Sequence, residues 1–89
     1  MQIKEVTVTN ALGLHARASA KIVDAASRFP CTVSLVARGR RASARSIVAL
    51  MLLSASAGTL VQVEADGPEE AAAVREIASL FSDGFGERT

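Results

Sequence analysis

The stretch Thr59-Leu60-Val61-Gln62-Val63-Glu64-Ala65-Asp66-Gly67-Pro68-Glu69-Glu70-Ala71-Ala72-Ala73-Val74 changes its hydrophobic period halfway along. Up to Ala65 the residues alternate, with Val61, Val63 and Ala65 on one parity, as in a strand with one buried face. Asp66-Gly67 breaks the run. Pro68 then predicts the first turn of a helix, where its missing N–H costs nothing, and Glu69 and Glu70 complement the positive end of the helix dipole. Further on, Ala73, Val74, Ile77, Leu80 and Phe81 recur at helical spacing and form an apolar stripe. A strand followed at once by a helix, each apolar on one side, predicts two packed layers of the α+β class. The tail, Ser82 to Thr89, is expected to fray.

Working back toward the N-terminus, Ala57-Gly58 ends a short helix that carries Ile47, Leu50 and Met51, and Ser46 is placed to cap it. Arg40 to Ser43 reads as a short strand, joined through Gly39 to Thr32–Val36, whose Val33 and Leu35 face one way. Phe29-Pro30 ends a preceding helix, because a residue before proline is pushed out of the helical region. That helix runs from Ala16 to about Arg28, with an expected apolar stripe of Ala16, Ala20, Val23 and Ala26. Ile3 to Val8 is a first strand, with Val6 and Val8 inward, and Asn10 to Gly13 breaks it. The order is βαββαβα. It predicts an open-faced two-layer sandwich, a four-stranded antiparallel sheet with three helices on one face and solvent on the other. Residues 1–89 are expected to form one domain; the order of strands within the sheet is left open by the pattern.

Composition narrows the field. With 89 residues, 49% of them hydrophobic and 21% charged, the chain is too apolar for disorder. The longest apolar run, Ile47 to Leu53, falls far short of the roughly 20 residues that a membrane span needs. The N-terminal residues lack the charged and apolar regions of a secretory signal. A lone cysteine, Cys31, makes neither an internal disulfide nor a metal site. A cytoplasmic protein without cofactor or metal is expected. Residues 1–45 hold eight Lys or Arg against two acids, whereas the rest holds two Arg against seven acids, which predicts a basic face and an acidic one.

The single histidine stands in Gly13-Leu14-His15-Ala16-Arg17, where a turn meets the first helix. No nucleophile elbow, Cys/His pair or phosphate-binding glycine loop occurs elsewhere. The first N–H groups of a helix have no acceptor within it, so those of Ala16 and Arg17 are placed to hold an anion. The forked guanidinium of Arg17 adds donors suited to phosphate oxygens. An imidazole set in these positive surroundings can attack phosphorus with its lone pair.

These residues resemble the active-site motif of the HPr family, the histidine-containing phosphocarriers of the bacterial phosphoenolpyruvate-dependent phosphotransferase system. The resemblance covers nearly the whole chain. It extends to Ala42-Ser43-Ala44-Arg45-Ser46-Ile47, with Ser46 lying 31 residues after His15, and to Gly58-Thr59 before the last strand. It implies that the chain is a phosphocarrier and not an enzyme. Nδ1 of His15 would accept a phosphoryl group from phosphorylated enzyme I and pass it to an enzyme IIA domain, with Arg17 orienting and neutralising the group. Ser46 would match the regulatory site used where an HPr kinase/phosphorylase exists. Ile47, Val48 and Met51 would form an apolar partner-docking patch, with Leu50 and Leu53 buried. A monomer is expected. Two positions depart from the family pattern: Ala18 stands where proline is common, and Ser54 where glycine is frequent.

Two other readings compete. A paralogue devoted to nitrogen or carbon regulation would use the same chemistry without sugar uptake. A nucleic-acid-binding module would use Arg38, Arg40, Arg41 and Arg45, but the three phenylalanines lie away from these arginines, so base stacking lacks its platforms.

Overall fold

The computed structural model describes residues 1–87. Along the chain run β1 (Gln2–Thr7), α1 (Ala16–Ser27), β2 (Thr32–Ala37), β3 (Arg40–Ser43), α2 (Ile47–Met51), β4 (Leu60–Asp66) and α3 (Glu70–Ser82). The four strands make one antiparallel sheet in the order β1-β4-β2-β3. This is the expected βαββαβα arrangement, with the last strand inserted between the first and the second.

Alternation decides which sheet face is covered. Val33, Leu35 and Ala37 of β2 and Val61, Val63 and Ala65 of β4 are all buried, as is Ala42 of β3. The helices lie over this face and close the core with Ile22, Leu50, Ile77 and Phe81. On the open face Glu64 is sheltered by its ion pair with Arg41, which reaches it across β2. The turn from β2 to β3 puts Arg38 and Gly39 at φ 53° and 77°, the two-residue connection whose twist matches a hairpin.

Three expectations need correction. The buried side of α1 is Ala18, Ser19, Ile22, Ala25 and Ala26, while Ala16 and Ala20 are exposed and Val23 is half-buried. The large side chain of Ile22 sets the phase in an alanine-rich helix, and Ser19 is admitted because its hydroxyl donates to the Leu14 carbonyl. Secondly, α3 begins at Glu70, two residues beyond Pro68. Glu69 lies in the left-handed region at φ 63°, and the Glu70 carboxylate turns back to accept from the Gly67 N–H at 3.0 Å. Thirdly, the tail does not fray after Ser82. Gly84, Phe85 and Gly86 form a left-handed turn that buries the Phe85 ring edge-on against Phe81, with centroids 5.0 Å apart. Arg88 and Thr89, also assigned to the frayed tail, lie outside the described residues.

Ion pairs join the two halves of the chain. Glu64 of β4 pairs with Arg41 of β3 because both strands flank β2, and Glu76 of α3 pairs with Arg28 at the end of α1.

Candidate functional site

His15 is the N-cap of α1. Its backbone is extended (φ −76°, ψ −178°), and Nδ1 accepts a long hydrogen bond of 3.3 Å from the Arg17 N–H. Two buried neighbours hold it there. The Leu14 N–H donates to the Ala55 carbonyl at 3.0 Å, and the His15 carbonyl accepts from the Ser19 N–H at 2.9 Å. The ring is therefore anchored at its backbone but remains 28% exposed at its side chain.

The turn before it is tied by Asn10, which is itself buried. One amide donates to the Gly13 carbonyl at 2.8 Å and also reaches Oε1 of Glu87 at 3.0 Å. The other carboxylate oxygen of Glu87 contacts Nε2 of His15. The Asn10 amide first, and then the imidazole, hold the Glu87 carboxyl below the usual carboxylate range, against the opposing effect of burial. The tail reaches this point because Thr9 donates to the Phe81 carbonyl, Lys21 donates to the Phe85 carbonyl and the Phe85 ring is buried against Phe81.

His15, Ala16 and Arg17 line one open groove together with Ala11, Leu12, Gly86 and Glu87. The Arg17 side chain is exposed and enters no ion pair among the described residues. The structure thus brings together the three residues expected to receive an anion. To the positive setting of helix end and arginine it adds a carboxylate that touches the ring. Sequence reasoning missed Glu87 and Asn10. The one available signal was Phe85, a large apolar residue in a tail assigned to solvent.

The remaining candidates sit on α2, outside the groove. Ser46 caps α2, with Oγ accepting from the Ala49 N–H at 3.1 Å. Ile47 and Met51 are about two-fifths exposed and Val48 more so, whereas Leu50 and Leu53 are buried, as expected. Leu12 and Leu52 are also exposed and were not anticipated. The arginines of the nucleic-acid reading are occupied within the fold: Arg45 donates to the carbonyls of Phe29 and Cys31, Arg40 to that of Leu52, and Arg41 pairs with Glu64. Among the described residues no group of side chains could hold a metal ion, and no helix is long and apolar enough to cross a membrane.

The site is thus an imidazole that caps a helix, partly open to solvent beside an exposed arginine, on an open-faced antiparallel sandwich. The family model described as the PTS HPr component phosphorylation site matches residues 3–83, and the chain belongs to this HPr family. Its relatives include the phosphocarrier protein HPr of Xylella fastidiosa (strain Temecula1), 47% identical over 85 residues and 96% of each chain. Another is the phosphocarrier protein HPr of Cupriavidus necator, 42% identical over 84 residues and 94% of each. Among solved structures, HPr-C-His from Thermoanaerobacter tengcongensis superimposes with a TM-score of 0.94 at 31% identity, covering 100% of both chains. The phosphocarrier HPr of Bacillus anthracis gives 0.85 at 28%, covering 90% of this chain and 95% of that one. The chain is accordingly a phosphocarrier of the phosphotransferase system, not itself an enzyme.

Proposed function

We propose that Nδ1 of His15 is the atom that carries the phosphoryl group, taken from phosphorylated enzyme I and handed to an enzyme IIA domain in the cytoplasm. The observation that carries this reading is the direction of Nδ1, which faces the Arg17 N–H in the first turn of α1. A phosphoryl group bound there meets N–H donors at the positive end of a helix dipole and the free guanidinium of Arg17. A carrier must also let go, and uniformly tight binding would deepen the loaded state without speeding its discharge. An open groove with one arginine suits that need.

The exposed apolar residues Ile47, Val48 and Met51 of α2, with Leu52 following them and Leu12 in the His15 groove, form the surface offered to both partners. Ser46 serves as a regulatory phosphorylation site where an HPr kinase/phosphorylase is present. Its half-buried hydroxyl already faces an α2 amide, so a phosphate there is accepted without refolding.

Incubation with enzyme I and phosphoenolpyruvate is expected to add one acid-labile phosphate to the chain, and His15→Ala to abolish it. Persistent labelling of that variant would falsify the assignment of His15.

A further inference from the structure

The contact between Glu87 and His15 is built from several sides. The Glu87 side chain is only 10% exposed; one oxygen accepts from the buried Asn10 amide at 3.0 Å and the other meets Nε2 of the ring. The same Asn10 amide holds the Gly13 carbonyl at 2.8 Å, two residues before His15, so a single side chain aligns the carboxylate with the turn that presents the histidine. The backbone on the other side is pinned by the Lys21 ammonium on the Phe85 carbonyl.

An ionised carboxylate can only accept hydrogen bonds. Facing Nε2, it requires the proton to sit on that nitrogen, which leaves the lone pair of a neutral ring on Nδ1. The Arg17 N–H donating to Nδ1 selects the same tautomer from the opposite side. We propose that Glu87 is the positioning residue of this site: it holds His15 in the Nε2–H form and compensates the positive charge that the ring gains when it is loaded. This proposal rests on the phosphocarrier reading above and names a group that the reading does not require.

In the loading step the Nδ1 lone pair forms the N–P bond, while the bond between phosphorus and the donor breaks and its electron pair stays with the donor. The proton remains on Nε2, so the loaded ring is positive and lies against the Glu87 carboxylate. On discharge the N–P electron pair returns to Nδ1, and the ring departs as a neutral imidazole, a better leaving group than an imidazolate. Glu87 thereby acts on both halves of the cycle without touching phosphorus.

The test uses the full chain with ¹⁵N-labelled histidine, as wild type, Glu87→Gln and Glu87→Ala, each checked for folding by circular dichroism. Above the pH range in which the ring is protonated, the wild type is expected to show the ¹⁵N signature of the Nε2–H tautomer alone. Both variants are expected to show a mixture, because a glutamine amide can donate as well as accept and alanine does neither. Phosphoryl transfer from enzyme I to each variant is expected to slow by about tenfold, the lower end of the loss seen when the partner that orients a metal-bound histidine is removed. A wild-type ring signature in the variants, or transfer at the wild-type rate, overturns the role of Glu87. Failure of the wild type to take up phosphate would instead overturn the carrier reading, and the ring spectra would still report on Glu87.

Discussion

Gly13 illustrates how one missing atom builds the site. It lies at φ 66°, and a Cβ added there would fall 2.4 Å from the Ala55 carbonyl oxygen, the acceptor of the Leu14 N–H. Both the left-handed backbone and the close approach demand glycine. Gly13→Ala is expected to cost about 2–4 kcal/mol, combining left-handed strain with overpacking. The measurement is the urea unfolding midpoint, and an unshifted midpoint would mean that Ala55 yields easily. Ser54, where the family often has glycine, is also left-handed at φ 53°, but it is exposed and pays only the backbone strain. Ala18, the other departure, is fully buried in the first turn of α1, so that position serves the core as well as the helix start.

Among the elements, the tail after α3 brings Gly86 and Glu87 to the site. Its left-handed turn is admissible because glycines flank Phe85, and the ring's burial against Phe81 offsets the strain at φ 57°. Phe85→Ala is expected to remove about 3 kcal/mol from tail docking. Faster amide exchange at residues 84–87, with α1 and the strands unchanged, would show it; uniform acceleration along the chain would show that the tail is part of the global fold. Acid should release the same segment. The Glu87 carboxyl lies below its ordinary value of 4.5, so its stabilisation is complete above that value and is lost as pH falls through the depressed one. Amide exchange or the His15 ring signals followed from pH 6 to about 2 check the direction.

The same elements show what a linear pattern reveals. The strands were legible because alternation needs no partner to be visible: Val33 and Leu35, and Val61, Val63 and Ala65, are buried as read. The phase of α1 was not, because alanine is small enough to sit on either side of a helix and only contact with the sheet selects Ile22 and its neighbours. The start of α3 was displaced because Gly67-Pro68 can open a helix or precede it, and here the left-handed Glu69 delays it.

At the scale of the whole molecule, charge acts through summed fields. Ser46→Asp keeps an acceptor at the α2 cap and adds one negative charge, so the fold should persist. Transfer from enzyme I should slow by about fivefold at low salt, with the difference fading as ionic strength passes ~0.15 M and screening shortens to ~8 Å. Stopped-flow transfer rates at several salt concentrations read this out, and a salt-independent effect would point to altered packing instead.

The histidine at a helix start, the arginine two residues on, the capping serine and the succession of strands and helices could all be read along the chain, because each depends on neighbours within a few positions. The strand order, the pairing of late acids with early cations and the carboxylate behind the imidazole could not. Glu87 and His15 are 72 residues apart. Only a folded chain, with Phe85 in the core and Asn10 facing both ends, gives them a common address.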